Sequence, residues 1–235
     1  NGILTSSSIE AVSMGNNHTE DYGPESTVDT KNALDAVNIL YAINDTIAYF
    51  TTDEGVVVAM VSANITGEGN ERDQYIKQLE EQHIKDVEEA RQQGADLVIA
   101  CCHWGIEKDN YPNDYQKNLG HALIDKGADL VVGNHPHVLQ GAEVYNGKVI
   151  LYSLGNFSFG ANRNPADKDT AVYQQTFSFV DGVEDFGYYS FSSIISEGDT
   201  IGSVIIISID NPILESEEKM AVILSKLLSG NFSEV

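Results

Sequence analysis

A seven-residue stretch that occurs twice constrains this chain more than any other feature. Gln93-Gly94-Ala95-Asp96-Leu97-Val98-Ile99 returns 33 residues later as Lys126-Gly127-Ala128-Asp129-Leu130-Val131-Val132. Each copy follows a segment of helical periodicity, opens on a glycine suited to a helix C-terminus, and continues as a short aliphatic strand. Each then delivers a histidine, His103 in the first case and His135 in the second. An earlier strand, Ile9–Met14, ends in the same way at Asn17-His18. Strand–helix–strand order with short connections implies parallel strands, so three strands are expected to present histidines from their carboxyl ends. That edge is where α/β folds place their ligands. The expected class is therefore α/β.

The remaining elements fit this frame. Helices are expected over Ser26–Tyr41, Glu71–Gln93 and Asp114–Lys126. Hairpins are expected around Asp53-Glu54-Gly55 and around Asn146-Gly147, the second being a strong turn signal. Beyond Gly160 the pattern weakens. Ala161–Asp169 reads as a loop, Ala171–Val180 and Ile201–Ile209 as strands, and Glu215–Leu228 as an amphipathic helix, while Phe186–Ser193 fits no element clearly. The organisation expected is a core over 1–160 and a C-terminal elaboration over 161–235.

The charge excludes some functions. Thirteen Lys and Arg against 36 Asp and Glu leave a net charge of −23. Such a surface does not suit a nucleic-acid phosphate backbone, which must be met by clustered cations. No apolar run reaches the ~18–20 residues of a membrane span, and no signal peptide is legible. The chain opens Asn1-Gly2-Ile3-Leu4 without an initiator Met and reads as the continuation of something longer. Cys101 and Cys102 are adjacent, so no disulfide framework is expected.

Chemistry is expected at the strand ends. In His135-Pro136-His137 two imidazoles flank a stiffening proline, and neutral imidazole is a common transition-metal ligand. His103 arrives at the equivalent point of the repeat. In Gly15-Asn16-Asn17-His18 an amide oxygen and an imidazole share a turn, one able to ligate a metal and the other to donate a proton. Trp104 can wall such a site or pack in the core, and Glu107 can orient a ligating histidine or stand as a solvated charge. Gly155-Asn156 can bring backbone close to a ligand or form a structural turn. His83 and His121 lie within expected helices and read as packed or half-exposed residues.

Taken together and in order, Asn16-Asn17-His18 with Asp21-Tyr22-Gly23, His103-Trp104-Gly105 with Glu107, Pro112 and Gln116, Gly127-Ala128-Asp129, His135-Pro136-His137-Val138 and Tyr152-Ser153-Leu154-Gly155-Asn156-Phe157 resemble the bacterial capsule-synthesis proteins of the CapA/PgsA, or poly-γ-glutamate, type. That family is related to the calcineurin-like metallophosphoesterases. The resemblance implies a four-layer α/β/β/α sandwich, here expected without its N-terminal portion. It implies Asn17, His103, His135 and His137 as ligands of one or two divalent ions (Mn, Fe or Zn), and His18 as proton donor. Trp104, Glu107, Asn134 and Asn156 would line the site or support its ligands. The early Asp-x-His and Gly-Asp of the phosphoesterase pattern do not precede Asn17 here, and Asn134 stands where many relatives place a histidine.

Three functional expectations follow. One is a metal-dependent phosphoesterase-like hydrolase in capsule or poly-γ-glutamate biosynthesis. Another is a non-catalytic accessory of polymer export or anchoring, and the last is a metal-dependent γ-glutamyl amide hydrolase. The implied partners are an anionic polymer or phosphoester and other capsule-assembly proteins. The implied location is extracytoplasmic, at the cell surface, with any membrane anchor upstream.

Overall fold

A computed structural model of the chain describes residues 2–6, 9–44, 46–53, 55–66, 70–156, 167, 169–175, 177–180, 183–185 and 189–195. The strand expected at Ile201–Ile209 and the helix at Glu215–Leu228 lie outside these residues, as does nearly all of the loop expected at Ala161–Asp169. The chain divides into two compact units, residues 1–104 with 118–131, and residues 105–117 with 132–235.

The first unit begins with a short helix, α1 (Gly2–Ser6), which the sequence pattern does not signal. Strand β1 (Ala11–Ser13) follows, then α2 (Pro24–Asp35) and β2 (Leu40–Ala42). Strands β1 and β2 pair in parallel through that helix. Helix α2 stops short of the expected Tyr41. Asn38 takes a left-handed φ of 56°, and the amides of Asn38 and Ile39 return to the carbonyls of Asp35 and Leu34. This closure ends the helix and frees Ile39 to Tyr41 for extended structure. Met14, Leu34, Ile39 and Ile43 form a small core there, with Leu4, Val12, Val37 and Tyr41 packed against it.

Strands β3 (Ala48–Thr51) and β4 (Val57–Asn64) form the first expected hairpin. Helix α3 (Asn70–Gln92) then leads to β5 (Leu97–His103), which pairs with β4 in parallel from Val58↔Leu97 to Asn64↔His103. The unit is thus α/β with a mixed sheet, and α3 packs on both β4 and β5. Val58 to Ala63 and Leu97 to Cys102 are buried without interruption. Such continuous apolar runs are what parallel strands covered on both faces require.

The repeat has a structural explanation inside this unit. At its first copy Gly94 (φ 89°) closes α3, with amides at 94 and 95 bonded to carbonyls at 91 and 90. At the second, Gly127 (φ 116°) closes α4 (Asp114–Asp125) in the same way. The aspartate that follows binds the neighbouring strand twice. Asp96 gives its amide to the Val57 carbonyl (2.8 Å) and accepts the Val57 amide on Oδ2 (2.8 Å). Asp129 gives its amide to the Val98 carbonyl (2.8 Å) and accepts the Val98 amide on Oδ2 (2.7 Å). Arg91 fastens both copies, donating to the carbonyls of Ala95, Asp96 and Gly127 and to the Asp129 carboxylate.

The second unit contains most of β6 (Leu130–Asn134), then β7 (Ala142–Tyr145) and β8 (Lys148–Leu151). Strand β8 lies between β6 and β7. The β7–β8 hairpin turns at Asn146 and Gly147, both with positive φ (49° and 75°), as a two-residue turn between twisted strands demands. Further on are β9 (Asp169–Gln175), β10 (Ser178–Val180), β11 (Val183–Asp185) and β12 (Tyr189–Ile195). The single strand expected over Ala171–Val180 is therefore two, β9 and β10. The unassigned stretch near Phe186–Ser193 mostly supplies β12, antiparallel to β9. Val149, Ile150, Leu151, Tyr152, Leu154 and Tyr173 are buried in this unit.

Candidate functional site

In the first unit, β1 hands the chain to a tight turn. Gly15 lies so close to β4 that an added Cβ would stand 2.6 Å from Ser62 Oγ and 2.9 Å from the Ala63 backbone. Its amide donates to Ser62 Oγ at 3.0 Å, and Ser13 and Ser62 share a 2.6 Å hydroxyl contact. Asn16 then uses Oδ1 to accept the His18 amide (2.8 Å), while Thr19 Oγ1 donates to the Met14 carbonyl (2.5 Å). These bonds fix the turn that carries Asn17 and His18.

Two contacts define what that turn presents. Asn17 Oδ1 lies 2.8 Å from Nε2 of His103, the last residue of β5. An amide oxygen and an imidazole nitrogen from two strand ends are thus brought together. His18 is exposed, and its Nδ1 lies 2.9 Å from Asp21 Oδ2. A carboxylate on Nδ1 sets the orientation of the ring and leaves Nε2 facing outward. Trp104 has no exposed surface, so its ring is a core element and presents no face for stacking.

In the second unit, Glu107, His135 and His137 offer ligand atoms that all lie within 4.8 Å of one another. His135 and His137 follow β6 directly, and both are non-glycine residues of positive φ (100° and 58°). Residues in that region cost free energy and persist where their surroundings hold them. The Pro136 carbonyl accepts the Lys108 amide at 2.8 Å, joining this loop to the one carrying Glu107. His137 Nδ1 donates to Asn156 Oδ1 (2.7 Å), and Asn156 Nδ2 donates back to the His137 carbonyl (3.0 Å). The reciprocal pair fixes the tautomer and directs His137 Nε2 toward the cluster. Asn134 closes β6 beside His135 and is half-buried.

The donor types, two imidazoles and a carboxylate, are of the kind that ligate divalent transition metals. Imidazole and carboxylate suit Mn, Fe and Zn, and ligand bonds of roughly 2.0–2.2 Å allow two ligands of one ion to stand up to about 4.2 Å apart.

A buried amide network supports the Glu107 loop. Asn113 and Gln116 cap the start of α4 reciprocally, amide to side-chain oxygen, at 3.1 and 2.9 Å. Gln116 Nε2 donates to Gln140 Oε1 (2.8 Å), and Gln140 Nε2 donates to the carbonyls of Asp109 (2.9 Å) and Tyr111 (3.3 Å). Gly105 (φ 84°) leaves room for Gln116, whose amide would lie 2.8 Å from an added Cβ. Asn113, Gln116 and Gln140 pack the loop from beneath. Gln116 stands among the residues that carry the resemblance, the Asn-x-x-Gln capping signal adds Asn113, and no sequence signal marks Gln140.

His83 is wholly buried, with Nε2 3.4 Å from Cys102 Sγ. Burial lowers its pKa to about 4 and raises that of Cys101 to about 12. His83 is thus a neutral core imidazole, and Cys101 and Cys102 are free, buried thiols.

Comparison with known proteins places this architecture. Residues 2–161 match the family described as "Bacterial capsule synthesis protein PGA_cap", and the chain belongs to that family. It is 37% identical over 169 residues to "PGA biosynthesis protein CapA" of Bacillus subtilis, covering 67% of this chain and 44% of that protein. It is 35% identical over 182 residues to "Capsule biosynthesis protein CapA" of Bacillus anthracis, covering 69% and 43%. A "Probable polyglutamine synthesis accessory protein" of Mycobacterium tuberculosis is 26% identical over 174 residues, covering 65% and 46%. The chain thus spans less than half the length of these curated relatives.

Proposed function

We propose that this protein serves the assembly of a capsule polymer of the poly-γ-glutamate type and carries a metal-dependent, phosphoesterase-like hydrolase site. Family membership supports the polymer. The observation that carries the chemistry is the Glu107, His135 and His137 cluster. We attach to it the four-layer arrangement of the calcineurin-like enzymes, a Mn, Fe or Zn cofactor of one or two ions, and an extracytoplasmic, cell-surface location. Among the described residues no helix is long and apolar enough to cross a membrane. Other capsule-assembly proteins are the partners this reading implies.

The residues take the following roles. A divalent ion, when bound, polarises a phosphoryl or carbonyl oxygen and makes water nucleophilic near neutral pH. Glu107 contributes negative charge to its site, and His135 and His137 contribute neutral nitrogen. Asn156 holds His137 in the ligating tautomer. Asn17 and His103 form an oxygen–nitrogen pair of their own in the first unit, to which the family resemblance assigns metal binding. His18 is the proton donor: Asp21 Oδ2 lies 2.9 Å from Nδ1 and orients the ring, so that Nε2 is available to a leaving group.

The test is direct. Purified protein is expected to retain Mn, Fe or Zn by elemental analysis, to bind Mn in titration, and to release phosphate from an aryl phosphate. Glu107→Gln and His137→Ala are expected to lose the Mn binding. Protein that takes up none of these metals would sink the reading.

A second reading, hydrolysis of a γ-glutamyl amide, draws on the cavity beside Asn17. Among the described residues its lining includes Asn16, Asn44, Asn64 and Glu20 but no Lys or Arg. Freed amines after incubation with the polymer would support it over phosphoester chemistry. Saturable polymer binding with neither product would assign a non-catalytic accessory role.

A further inference from the structure

The cavity beside Asn17 has a chemistry of its own. It lies wholly in the first unit, between the β1 turn and α3, opens to solvent, and has a volume of about 190 Å³. Pockets that hold a whole drug-sized ligand run to ~300–1,000 Å³, so this one takes a single residue and not a stretch of polymer. Met14 and Leu79 give it apolar wall, and Tyr75 an aromatic one.

Its polar groups divide by sign. Asn17 and Asn64 have their oxygens engaged, with His103 Nε2 in one case and with the Thr66 amide and hydroxyl in the other. Each therefore offers the cavity an NH2 donor. Asn44 adds a third amide. Asn16 is consumed by its own turn, its oxygen taking the His18 amide and its nitrogen facing the Met14 carbonyl. Against these donors stands one carboxylate, Glu20. Amide donors suit a carboxylate, and Glu20 suits an ammonium. Among the described residues the lining holds no cation, and a phosphate there would meet the like charge of Glu20.

We infer that this cavity binds an α-amino-acid zwitterion, namely the free amino-terminal residue of a chain linked through side-chain carboxyl groups. Such a residue carries its ammonium and α-carboxylate on one carbon. Every later residue of the same chain keeps the carboxylate but has its nitrogen locked in an amide, so Glu20 selects the chain end. The inference rests on the polymer assigned under Proposed function, but not on the metal.

Isothermal titration of the full chain with γ-glutamyl-glutamate of either configuration, its N-acetyl derivative and inorganic phosphate tests the inference. The dipeptide is expected to bind saturably. Acetylation is expected to weaken it by about tenfold or more, the worth of one charge-assisted hydrogen bond. Glu20→Gln and Asn44→Asp are expected to weaken the dipeptide to the same degree, with Mn affinity and urea midpoint unchanged. With the chain stripped of metal by a chelator, equal affinity for the acetylated dipeptide, or tighter binding of phosphate, overturns the inference. Dipeptide binding without Mn uptake leaves it standing and removes only the metal reading; Mn uptake without dipeptide binding does the reverse.

Discussion

His135 and His137 hold left-handed backbone without the freedom of glycine, at a cost of about 1–3 kcal/mol each. Asn156 helps hold them by bonding both ring and carbonyl of His137. Asn156→Ala is therefore expected to lower Mn affinity about 10–100-fold while the protein stays folded, read by titration and circular dichroism. Gly15→Ala tests the opposite turn. Its Cβ has no space against Ser62 and the backbone of Ala63, and a loss of about 1–3 kcal/mol is expected in urea denaturation. Much of this was legible in the sequence. His135-Pro136-His137 and Asn17-His18 stand at strand ends because short β-to-loop transitions follow aliphatic runs. That His103 and Asn17 share a strand-end edge was legible, but their direct 2.8 Å contact was not, since 86 residues separate them and only folding sets their distance. The burial of Trp104 was equally hidden, because a lone aromatic beside a candidate ligand reads the same in core and in cleft.

At the scale of elements, the repeated Gly-Ala-Asp was visible as a repeat but not as a clamp. Periodicity shows where helix gives way to strand; it does not show that the aspartate reaches sideways to the next strand. Asp129 is almost wholly buried and serves both the Val98 amide and Arg91. Asp129→Ala is expected to cost about 3–5 kcal/mol in chemical denaturation, because it strands Arg91 as well as a backbone donor. Asp96→Ala removes one accepted amide bond and is expected to cost about 1–3 kcal/mol. Helix α3 also carries a pH dependence. His83 resists protonation when folded, with its pKa near 4, while an unfolded histidine titrates near ~6.5. Between these values the unfolded chain binds the extra proton. His83 therefore costs nothing above about pH 6.5 and destabilises the fold progressively as pH falls toward 4, by up to about 3 kcal/mol. Urea midpoints of the wild type and His83→Leu at pH 7 and pH 4.5 are expected to diverge at the lower pH, with the wild type losing more. The end of α2 shows the limit of pattern reading: apolar spacing continues through Leu40, but a left-handed Asn38 decides otherwise.

For the whole molecule, a net charge of −23 means mutual repulsion across the folded surface. Raising ionic strength from ~0.01 to ~0.15 M shortens the screening length from roughly 30 to roughly 8 Å, and the thermal midpoint is expected to rise with it in a calorimetric salt series. Parallel strands make a second demand on the whole chain, since they join segments far apart in sequence and are slow to pair. The aspartate clamps bear on this. In each, one residue exchanges two hydrogen bonds with a single residue of the neighbouring strand, just where its own strand begins. A strand that arrives one residue out of step forfeits both bonds before any side chain has found its face. The clamps therefore act in time as well as in space. Their loss is expected to slow refolding more than it speeds unfolding, so that a chevron plot of Asp96→Ala moves mainly on its folding limb.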